Sequence, residues 1–142
     1  MKPRLHSLLF CCALGAACAP AVLLAAPPGK VLEKNDTRIG TGATAAPGST
    51  VTIHYTGWLF SPRSSFQHGS KFDTSRDGKP ATFKLGAGAV IKGWDEGIAG
   101  MRVGGQRTLI VPSAMGFGKA GRGPVPPGSN LIFDIELVET QN

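Results

Sequence analysis

The sequence predicts an α+β domain in which antiparallel strands pack one face against a single short helix, and three stretches carry that prediction. From Asn130 to Val138, Leu131, Phe133, Ile135 and Leu137 fall on one side while Asp134 and Glu136 fall on the other, the period of two of a half-buried strand. Thr50 to Leu59 repeats the pattern, with Val51, Ile53 and Tyr55 on an inward face and Thr50, Thr52 and His54 on an outward one. Between them, Val90 to Ile98 spaces Ile91, Trp94 and Ile98 by three and four residues, which on a helix makes one apolar stripe.

Taken in order, the chain of 142 residues begins with Lys2, Arg4 and His6 and then an apolar run from Leu8 to Leu24. A basic segment, an apolar segment and small residues at Ala19, Ala21, Ala25 and Ala26 predict a secretory signal peptide, cut after Ala21 or Ala25 so that no proline follows the scissile bond. A membrane anchor is the competing reading, disfavoured by the shortness of the run and by Pro20 within it. A lipoprotein anchored at Cys18 is another, with Gly15-Ala16-Ala17 as a poor match to the required motif. The predicted division is signal peptide 1–25, an N-terminal strand and linker 26–46, and the principal domain 47–142. The mature protein is then periplasmic or secreted.

Cys11, Cys12 and Cys18 all lie in the leader, so the mature chain has no disulfide, thiolate metal site or cysteine nucleophile. Removing Lys2 and Arg4 takes the basic residues from 15 to 13 against 9 acidic ones, a net charge of +4. Those charges are scattered and not interleaved with aromatics, which argues against nucleic acid as a partner.

Lys30 to Gly42 alternates weakly. Within it Asn35-Asp36-Thr37 matches a glycosylation sequon but reads as a turn. Ala43 to Ser49 is small and loop-like, and Ser61 to Ser70, with Pro62 and Gly69, reads as an exposed loop before Lys71 to Ser75. Asp77 to Pro80 is a turn and Thr82 to Leu85 a strand. In the helix that follows, Lys92, Asp95 and Glu96 are expected to face water. Gly93 and Gly97 each cost about 1 kcal/mol against alanine there, so packing against a sheet, with Trp94 at the contact, must hold the helix. Gln106 to Val111 is a strand stopped by Pro112, and Ser113 to Pro127 a long surface loop with turns at Gly118, Gly121 and Gly123.

Few residues offer covalent chemistry. His54, on the polar face of a strand, and His68, in a loop, have no partner at metal spacing, and no nucleophile elbow or paired-carboxylate motif is present. Gly86, Gly88 and Gly93 fail both phosphate-loop templates. The sequence therefore calls for no metal and no cofactor. It does concentrate aromatic residues, Tyr55, Phe72, Phe83, Trp94, Phe117 and Phe133, with Asp73 directly after Phe72. Such a set forms either a plain core or a ligand pocket with a polar rim.

His54-Tyr55-Thr56-Gly57, Lys71-Phe72-Asp73-Thr74-Ser75, Val90-Ile91-Lys92-Gly93-Trp94, Pro126-Pro127 and Leu131 to Leu137, in that order, resemble the FKBP-type peptidyl-prolyl cis/trans isomerases. The resemblance implies a half-wrapped antiparallel sheet of about five strands around one short helix, and rotation about X-Pro bonds in exported proteins as the activity. It implies that Tyr55, Asp73, Ile91 and Phe117 act on the substrate, Ile91 through its backbone N–H. Trp94 would be the floor for a proline ring, Phe72, Phe83, Val90 and Phe133 walls, and Val125 a cover. Proline-containing polypeptides and macrolide inhibitors would be the ligands, the protein acting as a monomer and, without its leader, away from membranes. The competing class is a chaperone module that holds proline-containing segments without turning them over.

Three positions depart from the family pattern. The Phe60–Ser70 loop is longer than in its smallest members. Gly78 stands where a basic partner for Asp73 is usual, leaving Arg76 or Lys79 as substitutes. Phe117 replaces a tyrosine.

Overall fold

The computed structural model describes residues 31–142, so the expected signal peptide, its cleavage sites and the three cysteines lie outside the described residues. Strands β1 (Glu33–Arg38), β2 (Thr50–Phe60), β3 (His68–Thr74), β4 (Ala81–Lys84), β5 (Gln106–Val111) and β6 (Leu131–Gln141) surround one helix, α1 (Lys92–Gly97). All pairings are antiparallel, in the order β1-β5-β6-β2-β3, with β4 also on β2. The sequence-predicted class, an α+β domain with an open antiparallel sheet and one short helix, is the one observed, with six strands. Among the described residues no helix is long and apolar enough to cross a membrane.

The two strands with the clearest alternation form the centre of the sheet. On β6, Leu131, Phe133, Ile135 and Leu137 are buried, and Val51 and Ile53 of β2 meet them in the core. Ile110 and Ile132, paired across β5 and β6, are buried on the opposite face.

One edge of β2 changes partner halfway. Thr50 to Ile53 pair with β4, whereas Thr56 to Phe60 pair with β3. At the switch, the buried Ser75 clasps Tyr55: the Tyr55 N–H donates to Ser75 Oγ at 2.8 Å, and the Ser75 N–H donates to the Tyr55 carbonyl at 2.9 Å. This clasp fixes where Tyr55 leaves the sheet.

Helix α1 is short and lies against β5. A Cβ on Gly93 would come within 2.5 Å of Val111 Cγ1, and one on Gly97 within 2.6 Å of Leu109 Cδ1. The glycines therefore lower helix propensity but permit the close approach, which buries Trp94 and Ile98.

The structure corrects several local readings. Asn35-Asp36-Thr37 is strand and not turn, because Asp36 is held by Arg107, whose Nε and Nη2 donate to its two carboxylate oxygens at 2.6 and 3.2 Å. Ala43–Ser49 is the expected loop, with a turn at Pro47-Gly48, and it is pinned to the core: Ala45 is buried and exchanges backbone bonds with Gly100 and Met101. Ser61–Ser70 is only partly loop: a 3₁₀ turn spans Ser65–Gln67 and β3 already begins at His68, whose ring stacks on Trp58 at 3.8 Å. His68 is accordingly a strand residue. Asp95 does not simply face water. Its two carboxylate oxygens accept the N–H groups of Gly86 (2.9 Å) and Gly88 (3.1 Å), tying the β4–α1 connection to the helix. The Ser113–Pro127 loop contains a 3₁₀ turn at Ser113–Met115 and a bridge between Arg122 and Val125, and it returns to the core at Val125, which is 3% exposed.

Candidate active site

Trp94 forms the floor of a cavity of about 430 Å³ open between the sheet, the helix and the glycine-rich loop. The indole is 8% exposed. Tyr55 and Phe133 meet it edge-on, with ring centroids 4.7 and 5.2 Å away, and Phe72 stands edge-on to Phe133 at 5.7 Å. Gly57 of β2 makes room for the last two rings: a Cβ there would lie 2.7 Å from Phe133 and 2.8 Å from Phe72. Edge-to-face contacts of this kind fix ring orientations, so the walls are set before any ligand arrives.

The polar rim is built at the point where β2 changes partner. The Tyr55 hydroxyl donates to Asp73 Oδ2 at 2.6 Å, and the Thr74 N–H donates to Asp73 Oδ1 at 2.9 Å. Burial pushes the Tyr55 hydroxyl up to about 12, the bond to Asp73 and that carboxylate's charge adding to the effect while Arg122 opposes it. Tyr55 is therefore a neutral donor across the physiological range. Its one proton is committed to Asp73. Across the cavity, Ile91 precedes α1 in an extended conformation, and its carbonyl accepts from the N–H groups of Trp94 and Asp95. Its own N–H donates to nothing among the described residues.

Nine of the ten residues expected from the sequence line this cavity: Tyr55, Phe72, Asp73, Val90, Ile91, Trp94, Phe117, Val125 and Phe133. Phe83 does not line it. It stacks on Trp94 at 5.8 Å and 28°, so it supports the floor and forms no wall. Arg76 is not the basic partner of Asp73 either, because Nη2 donates to Glu136 at 2.8 Å and holds that carboxyl below its ordinary value against the opposing effect of burial. The basic residue at the rim is Arg122, which the sequence reading did not select, with its Cζ 5.7 Å from the centre of the Phe117 ring. Its place in the loop just before Val125 was the available signal.

A preformed, largely apolar cavity with an aromatic floor and a hydrogen-bonded polar rim is a site for binding and for conformational chemistry, with no nucleophile poised for attack. The FKBP-type peptidyl-prolyl cis-trans isomerase family matches residues 42–138, and the chain belongs to that family. An FK506-binding protein of Neisseria meningitidis serogroup A is 49% identical over 106 residues, covering 73% of this chain and 91% of that protein. FK506-binding protein 4 of Emericella nidulans is 48% identical over 105 residues, 74% of this chain but only 20% of the fungal protein's length. Among solved structures, that of AtFKBP13 superposes with a TM-score of 0.68 at 38% identity, covering 78% of this chain and 93% of the other. The enzyme is a peptidyl-prolyl cis-trans isomerase.

Proposed function

We propose that the cavity over Trp94 is where an X-Pro bond is turned, and that the substrates are proline-containing segments of exported proteins, whose folding the enzyme assists. The observation that carries the reading is the Tyr55–Asp73 hydrogen bond of 2.6 Å at the rim of an aromatic cavity. The proline ring rests on Trp94, the Ile91 N–H donates to a substrate carbonyl, and Val125 covers the bound segment. Phe72, Val90, Phe117 and Phe133 enclose it.

The reaction needs little more. Rotation about an X-Pro bond faces a barrier of roughly 18–20 kcal/mol because amide resonance must be lost, and no bond is made or broken. An enclosure of low polarity disfavours the planar, charge-separated amide relative to the twisted one, and a fixed donor holds the carbonyl part-rotated. An acceleration of ~10⁴ requires about 5.5 kcal/mol, within the reach of such effects. The same enclosure accepts macrolide inhibitors of the FK506 type.

The N-terminal pattern of basic residues followed by an apolar run supports export to the periplasm or beyond, where the mature chain acts as a monomer. Titration of ¹⁵N-labelled protein with a short X-Pro peptide tests the site. The expected shifts centre on the backbone of Tyr55, Asp73 and Ile91 and on the Trp94 indole N–H, which has no partner among the described residues. Shifts confined to the opposite face of the sheet would overturn the placement.

A further inference from the structure

We infer that a groove on the outer face of the sheet, the side away from Trp94, holds extended and positively charged segments of unfolded polypeptide. The inference goes beyond the site proposed above and does not depend on it. The groove encloses about 720 Å³. Its floor is closed by Ile110 of β5 and Ile132 of β6, which pair side by side and point away from the core filled by Leu109 and Phe133. One wall is β1, through Glu33 and Asn35, and the other is the turn that leads from Ser65 into His68.

That turn presents an aromatic ring to water under strain. Phe66 is 87% exposed, and both it and Gln67 have positive φ, 54° and 62°, in the left-handed region that non-glycine residues rarely adopt. Such a conformation persists only where its surroundings overdetermine it. Here the Gln67 N–H donates to the Ser64 carbonyl and the Ser61 N–H to the Gln67 carbonyl, both at 2.9 Å. A Cβ on Gly69 would lie 2.7 Å from the Leu59 carbonyl oxygen, so the strand beyond the turn sits tightly on β2. The Phe66 ring adds nothing to the core. It is a contact surface held in place at the edge of a groove, and the wall it belongs to is stiffened by the stack of His68 on Trp58.

The charge of the groove opposes that of the chain. Against 15 basic and 9 acidic residues in the whole sequence, Glu33 and Asp134 line the groove with Lys34 as its one permanent cation. Neither carboxylate is held by a lysine or arginine among the described residues. Asp134 accepts from the Thr108 hydroxyl at 2.8 Å and stands 3.8 Å from His68 Nε2. The side-chain amides of Asn35 and Gln67 can pair with a peptide backbone, Phe66 with an apolar side chain, and the two carboxylates with lysine or arginine. Unfolded polypeptide supplies all three on one flexible strand. A chain anchored there by one segment offers its other segments to the catalytic cavity at a raised local concentration.

The test is titration of ¹⁵N-labelled protein with the proline-free peptide Ala-Lys-Leu-Phe-Lys-Ala and with its counterpart Ala-Glu-Leu-Phe-Glu-Ala. The cationic peptide should shift the resonances of Phe66, Gly69 and Thr108, and it should bind about fivefold more tightly than the anionic one, a difference that shrinks at high salt. Phe66→Ser should weaken its binding by about fivefold or more. Glu33→Gln combined with Asp134→Asn should erase the preference between the two peptides. Turnover of a short X-Pro peptide should be unchanged in Phe66→Ser, and it reports on the cavity separately. The inference is overturned by shifts centred on Trp94, by no shifts on the outer face, by equal binding of the two peptides, or by self-association of the wild type that Phe66→Ser abolishes.

Discussion

Tyr55 and Asp73 stand on adjacent strands, and the hydroxyl of one donates to the carboxylate of the other across 2.6 Å. Neither group is available as a nucleophile in that arrangement. Tyr55 is also the single tyrosine in the chain, so its ionisation can be followed without interference from another phenol.

Absorbance titration near 295 nm should therefore give a native midpoint near 12, moving to about 10 in denaturant. The sign of the linked stability follows. Between these values the folded state keeps a proton that the unfolded chain has lost, so stability attributable to Tyr55 is full below pH 10 and is lost as pH rises toward 12. Asp73→Asn should lower the native midpoint by removing a charge that opposes ionisation. A midpoint near 10 in the native protein would contradict the partial burial of Tyr55 and its hydrogen bond to Asp73.

Removing the floor should cost more than removing the rim. Trp94→Ala deletes a ring packed against Tyr55, Phe83 and Phe133, and a loss of about 3–5 kcal/mol is expected in urea unfolding, with weakened inhibitor binding. Asp73→Ala, at the cavity rim, should lower turnover with a smaller effect on folding. Unchanged kcat/KM in both variants would place the reaction elsewhere.

At Phe117 a single hydroxyl distinguishes this chain from the family pattern. One neutral hydrogen bond contributes roughly 0.5–1.5 kcal/mol, so Phe117→Tyr should tighten binding of a macrolide inhibitor by about threefold to tenfold. Turnover of a small peptide should change little, since the ring and its contact with Phe72 persist. Calorimetric titration of both proteins reads the difference, and equal affinities would show that the hydroxyl does not reach the ligand.

Gly93→Ala reverses the usual helix rule. Alanine gains about 1 kcal/mol in propensity, yet its Cβ would sit 2.5 Å from Val111 Cγ1 and 3.3 Å from the Met115 carbonyl oxygen. Val111 is β-branched and buried, so the helix must shift. The expected net effect is a loss of about 1–3 kcal/mol, measured by thermal or urea unfolding. A stabilised variant would mean that α1 is free to move away from β5.

How far the sequence revealed the fold depended on which residues carried the signal. β2 and β6 were legible because burial of one face imposes alternation on the side chains. The start of β3 was not, because His68, Gly69 and Ser70 lie on a half-exposed edge where no alternation is required. The stack of His68 on Trp58 is a tertiary contact with no local pattern. Helical periodicity put Asp95 on the outer face, but acceptance of two backbone N–H groups from the preceding turn leaves no trace in spacing. The site was legible through motif order more than through chemistry. Phe83 and Trp94 were both read as lining residues since sequence cannot say which of two stacked rings faces the cavity, and Arg122 went unnoticed because a single cation in a polar loop resembles ordinary surface.

The pairing of β2 with β6 sets Thr50 opposite Gln141, so the centre of the sheet joins the two ends of the domain. Helix α1 and β5 are close in sequence, but β2 waits for its longest partner until β6 joins the sheet. Topologies of this kind fold in milliseconds to seconds, because a large loop must close before the contact repays it. The order of assembly is thus written into the connectivity: the cavity, whose rim Tyr55 and wall Phe133 come from those two strands, is among the last features to exist. Until β6 has joined β2 the cavity lacks Phe133 and cannot enclose a substrate, so activity in a refolding experiment should return only with the completed sheet.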